Sequence, residues 1–378
     1  MIYLDYAATT PVSQSAIDNF MDVCKNTWDN PSSTLREPGI AAKRLITESR
    51  KIFAEEMNVK PENIFFTSGA TEAANWILKG FADDYLAKYI IADPMSHPCV
   101  YNTCEYLAHK KDVRWFPVRA GVIDVDWLKH ELNKIKDDLY KTIVCVTYVN
   151  NETGVVQDIA KIADIVHSFP NCYLMLDMTQ AVGHYTSIDQ NYLDYDFAFG
   201  SAHKFGGLKG TGFAYISNPD IIKPLLIGGH QENNRRAGTE NVAGIYSMAE
   251  QFRLVRSNAI RYMKSMKDED LWEYIMGMLP DFCHVNFIDN RIIYSIMSIT
   301  LDGMNGQDVV SKLALQGIYI SAGSACSTGE DKPSRVLMEA GLSEDEARRT
   351  IRVSFDGMKT TTDEINTFIK ALYALKGG

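Results

Sequence analysis

Six short apolar runs, each separated from the next by polar or amphipathic sequence, constrain the fold more than any other feature of this chain. They are Ile64–Thr67, Tyr89–Ala92, Thr142–Thr147, Cys172–Asp177, Asp196–Phe199 and Gly212–Ile216. Such runs read as strands buried on both faces, the pattern of a sheet covered on two sides. The stretches at 72–86, 98–109, 125–138 and 158–168 are long enough for crossover helices. The alternation predicts an α/β fold with a mostly parallel sheet flanked by helices.

After about residue 245 the pattern changes to a long helix through Arg256 and Met266, then strands mixed with helices, and a last helix from Thr361 to Leu375. At 378 residues the chain exceeds what one core supports. We expect a large domain at 15–250, and a smaller α+β domain formed by 1–14 and 251–378. The opening segment is too short to fold alone, so it should pack on the second domain or on a partner subunit.

A formal charge of −10, with no dense basic stripe, disfavours direct nucleic-acid binding. The opening residues carry no basic leader or long apolar run, so neither export nor membrane spanning is expected. Seven cysteines without C-x-x-C spacing suit a reducing cytoplasm. Only Cys326 stands in a segment that looks built for chemistry.

Five segments could carry that chemistry. In Phe65–Glu72 a strand runs through small residues into a helix near Thr71, where free N–H groups could hold a phosphate; an ordinary capped helix start reads the same way. Asp177 ends an apolar strand at the edge where such sheets bind ligands, and could hold a pyridinium nitrogen protonated or simply cap a helix. Lys204 sits among small residues from Phe199 to Gly210, which suits a Schiff-base lysine but also a solvated one. Cys326 lies in a run of small residues, Ser321 to Glu330, expected to form a mobile loop that could carry a thiol in and out of a pocket, or to hold an incidental thiol. Arg352, on a short apolar run, could clamp a carboxylate or make a structural salt bridge.

Taken in order, these segments resemble the NifS/IscS-type cysteine desulfurases, fold-type I pyridoxal-5'-phosphate (PLP) enzymes of the class V aminotransferase group. The most specific stretches are Tyr3–Pro11, Asn30–Ser33, Thr67–Glu72, His97–Pro98, Val149–Val156, Asp177–Gly183, Ser201–Lys204, Gly228–Glu232, Arg235–Asn241, Gly323–Cys326 and Ile351–Arg352. The resemblance implies that Lys204 carries PLP and moves protons, and that Asp177 keeps the ring nitrogen protonated. Asn151 and Gln180 would bond the phenolic oxygen, and His97 would stack on the ring and act in acid–base steps. Ala70, Thr71, Ser201 and His203 would bind the phosphate, which the partner subunit's Thr239 would reach across a homodimer. Arg352, with Asn151, would hold the substrate. L-cysteine would become L-alanine, with the sulfur passing to Cys326 as a persulfide and then to an acceptor protein, an iron–sulfur scaffold or a tRNA-thiolation enzyme.

Between Cys326 and Pro333 the chain resembles the longer-loop members, which implies direct delivery to several acceptors. Departures are Ala202 where glycine is usual, Asn233 and Asn234 after Gly228–Glu232, Arg36 in place of a histidine, and no docking tail. These leave room for a different partner. Rival readings are a selenocysteine lyase, a plain aminotransferase, and a sulfur-transfer scaffold that keeps the fold without turnover.

Overall fold

The computed structural model describes residues 1–182, 194–323 and 332–376. A two-residue strand, β1 (Ile2–Tyr3), opens the chain. The apolar runs then form β2 (Ile64–Thr67), β3 (Ala87–Ala92) and, after the edge strand β4 (Asp112–Trp115) and a hairpin of β5 (Val118–Arg119) and β6 (Val122–Ile123), β7 (Lys141–Thr147), β8 (Cys172–Asp177), β9 (Phe197–Ser201) and β10 (Gly212–Ile216). Seven of these make one sheet in the order β2-β10-β9-β8-β7-β3-β4. All its pairs are parallel except those of β10, which runs against both β9 and β2. Thr67, Ala92, Thr147, Asp177 and Ser201 therefore all end strands on one edge. From β3 the chain leaves to one side, into β4, and from its neighbour β7 to the other, into β8, so a crevice opens between the ends of β3 and β7.

The helices of this part are α1 (Gln14–Asn26), α2 (Glu37–Met57), α3 (Ala70–Ala82), α4 (Pro98–Leu107), α5 (Val125–Ile135), α6 (Ile159–His167), a single turn α7 (Gln231–Asn234) and α8 (Val242–Arg256). Alternate strand residues face opposite layers, as the two-residue period of a strand requires. Phe65, Ile90, Ile143 and Cys145 join Trp76 and Phe81 of α3 and Val100 and Cys104 of α4 in one core. Phe66, Ile91, Val144 and Val146 join Phe53 of α2, Leu128 of α5, Ile162 of α6 and Phe252 of α8 in the other.

The remainder consists of α9 (Asn258–Met278), β11 (Cys283–Val285), β12 (Ile296–Leu301), α10 (Gly306–Ala314), β13 (Ile318–Tyr319), α11 (Arg335–Glu339), α12 (Glu344–Arg348), β14 (Thr350–Ser354) and α13 (Thr362–Lys376). β11, β12 and β14 form an antiparallel sheet, and β1 pairs with β13. A third core gathers Leu4, Trp272, Ile275, Met297, Val353 and Phe368.

One expected long helix is two. Ser257, at φ −56° and ψ 137°, separates α8 from α9. The break lets α8 bury Phe252 in the first core while α9 sends Ile275 into the third. Among the described residues no helix is long and apolar enough to cross a membrane.

Candidate active site

A cavity of about 430 Å³ lies at the strand-end edge of the large sheet. Lys204 enters it from a 3-10 turn, Ala202–Lys204, that follows β9 directly. Its Nζ donates to the carbonyl oxygens of Ala7, 2.7 Å away, and Ala8, 2.8 Å away. Thr10 braces the same turn, its hydroxyl donating to the Lys204 carbonyl at 2.8 Å and its N–H to that of His203 at 2.9 Å. The opening segment thus pairs with β13 through β1 and then crosses to the lysine. Ala202 is fully buried, and Gly207 leaves room for its methyl group: a Cβ at Gly207 would stand 2.8 Å from that of Ala202.

Asp177 ends β8 inside the cavity, buried, with Oδ1 accepting the Thr179 N–H at 2.9 Å. Gln180 lies beyond, its Nε2 donating to the Ala7 carbonyl at 2.8 Å, so one amide N–H remains for any other acceptor. Buried Gln180 Oε1 and Thr179 Oγ1, both from cavity-lining residues, have no hydrogen-bond partner among the described residues.

His97 is the N-cap of α4, and its Nδ1 accepts the Cys99 N–H at 3.2 Å. A neutral ring so bonded carries its proton on Nε2. Burial pushes its pKa down; Asp177 opposes this, while Lys204 and Arg335 add to it. His203, whose Nδ1 lies 3.1 Å from Thr9 Oγ1, is pushed down to about 4 by burial, with Lys204, Lys209 and His97 adding to the effect. It is therefore a neutral hydrogen-bonding group near pH 7.

At the start of α3 Gly69 offers no side-chain cap, so the first-turn amides of Ala70 and Thr71 stay available beside Ser201. The acid of that turn, Glu72, is occupied by a bidentate Arg236 at 2.7 and 3.0 Å and by the Ser68 N–H at 2.9 Å. The helix dipole is left to attract an anion from outside.

Asn151 lies inside a turn shaped by Asn150, whose Oδ1 accepts the N–H groups of Glu152 and Thr153 at 2.9 and 3.0 Å. Arg352 reaches the cavity from β14. Its Nη1 donates to the Asn151 carbonyl at 2.8 Å and its Nη2 pairs with Asp5 Oδ1 at 2.7 Å. Both sequence readings of Arg352 thus have a basis, since it makes an internal salt bridge and also lines the cavity. Its buried Nε has no partner among the described residues.

Thr239 does not line this cavity. It stands in an adjoining one of about 140 Å³, which shares Ser68 and Gly210 with the first. Cys326 lies outside the described residues. Sequence reasoning missed the carbonyls of Ala7 and Ala8, the turn-former Asn150, and Asp5; all but Asn150 fall within Tyr3–Pro11, whose contact with Lys204 no local pattern reveals.

The set fits PLP. An amine, a buried carboxylate, an uncapped helix start and a buried amide oxygen awaiting a partner surround one space of suitable size.

Residues 2–368 match the aminotransferase class-V family. The cysteine desulfurase IscS of Methanosarcina thermophila is 33% identical over 370 residues, covering 96% of this chain and 89% of that protein. A solved structure titled NifS-like protein superposes with a TM-score of 0.89 at 28% identity, covering 100% of this chain and 99% of that one. Another, titled SspA in complex with cysteine, gives 0.79 at 29% identity over 94% of this chain and 99% of its own.

Proposed function

The chain belongs to the aminotransferase class-V family, and from that membership and its site we infer that it is a PLP-dependent cysteine desulfurase, converting L-cysteine to L-alanine. The observation that supports this most is the single cavity shared by Lys204, Asp177 and Arg352. When bound there, PLP supplies an electron sink for the bonds at the substrate's carbon atoms.

The chain's own groups have the following roles. Lys204 would hold the cofactor and move the substrate's Cα proton. Asp177 keeps the ring nitrogen protonated. His97 would stack on the ring, and its Nε2 carries the proton that an acid needs. Asn151 and Gln180 bond the phenolic oxygen, and Ala70, Thr71, Ser201 and His203 the phosphate. Arg352 receives the substrate's carboxylate. The Cys326 thiolate then takes the substrate's sulfur: the C–S bond breaks, an S–S bond forms, and the carbon keeps the electron pair and is protonated to the methyl group of alanine.

The enzyme works in the cytoplasm as a homodimer in which the partner subunit's Thr239 completes the phosphate site. In support, the cavity beside Thr239 adjoins the main one, and Leu226 and Ile227, just before Gly228–Glu232, stand exposed. The large unit spans 15–250, and the small unit spans 1–14 with 251–378. Sulfur passes from Cys326 to an acceptor protein for iron–sulfur cluster assembly or tRNA thiolation.

Lys204→Ala should lose the cofactor's visible absorption band. Cys326→Ser should keep that band and lose both persulfide and alanine. Release of alanine from L-cysteine at the unaltered rate by Cys326→Ser would sink the mechanism, and a colourless wild-type protein would sink the cofactor. A strong preference for L-selenocysteine over L-cysteine would point to the lyase instead.

A further inference from the structure

The first turn of α11 follows directly on the segment that carries Cys326, and it is fastened to the cavity wall at two points. Ser334, its N-cap, donates through Oγ to Glu152 Oε2 at 2.6 Å; Glu152 is buried and follows Asn151. Arg335 reaches further. Its Nη2 donates at 2.7 Å to the Ser96 carbonyl, the oxygen of the peptide bond into His97. Its guanidinium lies 3.7 Å from the centroid of the Tyr101 ring, one helical turn beyond His97 on α4.

The clasp also contains unsatisfied polar atoms. Arg335 Nη1 is buried without a partner among the described residues, and so is Oδ2 of Asp93, the fully buried acid just past β3. Arg335 is attracted by two buried acids, Glu152 first and Asp93 after it, and Asp93 in turn feels the charge of Arg335. A half-buried arginine held by a carbonyl and a ring is fixed in position.

We propose that Arg335 is a positioning residue, which locks the His97 segment to the end of the thiol-bearing stretch and keeps a fixed cation beside the His97 ring. The proposal rests on the reading that His97 faces the PLP ring. The charged and titratable groups around His97 are Cys99 from α4, Asp177 from β8, His203 and Lys204 from the turn after β9, and Arg335 from α11. Of these Arg335 alone comes from the part of the chain after residue 250, on α11, whose Val336 and C-cap Ala340 join the first core. By standing there it opposes a second proton on the ring and so protects the Nδ1 cap of α4.

The test compares holoenzymes carrying Arg335→Met and Arg335→Lys. Met keeps the apolar stem and loses the charge; Lys keeps the charge and loses the planar fork. The readouts are the pH dependence of L-cysteine turnover and the titration of His97 in ¹⁵N-histidine-labelled holoenzyme, assigned with His97→Gln. The acid limb of turnover and the His97 titration should both move to higher pH in Arg335→Met and stay close to wild type in Arg335→Lys. A purely structural role would instead lower turnover at every pH without moving the limb. Equal shifts in both variants, or no shift in Arg335→Met, would overturn the proposal. If wild-type protein fails to turn over cysteine, the proposed function falls, while the His97 titration still decides the role of Arg335.

Discussion

Arg352 has only 2% of its side chain exposed, and a guanidinium so deeply placed needs a counter-charge, which Asp5 supplies. Asp5 also accepts the Ser321 hydroxyl at 2.8 Å, so one carboxylate ties the arginine to the residue where the small-residue run begins. Nε still has a donor to give. A substrate carboxylate that takes it gains a charge-assisted hydrogen bond worth about 1.5–3 kcal/mol, so Arg352→Lys should raise KM for L-cysteine roughly 10- to 100-fold with little change in kcat. The cofactor band should stay intact. Equal losses for cysteine and for cysteamine, which lacks the carboxylate, would exclude this role. Lys204, Asp177 and Arg352 were legible because their side chains differ in kind from the apolar or small residues around them. Asp5 was not, because only its long-range pairing with β14 gives it meaning. The carbonyls of Ala7 and Ala8 left no trace at all, since a backbone oxygen looks the same at every position.

α3 can present its amides to the cavity only because β10 begins on a glycine. Gly212 pairs with Thr67 and Ser201, and a Cβ there would fall 2.5 Å from Gly69 Cα and 2.7 Å from the Gly200 carbonyl. Gly212→Ala must therefore push the loop before α3 outward. Overpacking of this kind costs about 1–3 kcal/mol, which a lower Tm of the cofactor-free protein would register. PLP affinity should fall as well, because the displaced backbone carries the amides proposed to hold the phosphate. Unchanged affinity would show that the cradle does not depend on that close approach. Strands buried on both faces announce themselves as apolar runs, and hence β2, β7 and β8 were readable. β4 was not: it is an edge strand whose Arg114 pairs with Asp112 at 2.7 Å and with Glu131 at 3.0 Å, so its sequence looks like a polar loop. The break at Ser257 escaped for another reason. Amphipathic periodicity on either side continues almost unchanged across one non-helical residue, and only the change of core from Phe252 to Ile275 requires it.

Across the whole molecule, the path of residues 1–13 was the least legible feature, because the segment has no core of its own and takes its structure from two others: Leu4 enters the third core, and Ala7 to Thr10 embrace the lysine turn. The third core carries a pH dependence that the rest of the fold must tolerate. Asp268 of α9 accepts the Gly357 N–H at 2.7 Å, just past β14, and burial pushes its pKa up to about 7, with Lys264 and the Gly357 bond opposing and Asp356 adding. Asp93 is raised to about 6, again chiefly by burial. An unfolded chain releases these protons near the ordinary aspartate value of about 3.9. Between about pH 4 and pH 7 the folded state therefore holds protons that the unfolded state has lost, so their contribution to stability is greatest at the acid end and declines as pH rises. Asp268→Asn keeps the acceptor for Gly357 and removes the titration. Its Tm, relative to wild type, should climb steadily from pH 4 to pH 8, the charged aspartate being the form that burial penalises. A constant offset across that range would mean that Asp268 titrates normally and that Lys264, whose Nζ lies 3.7 Å from Asp356 Oδ2, neutralises the pair of acids together.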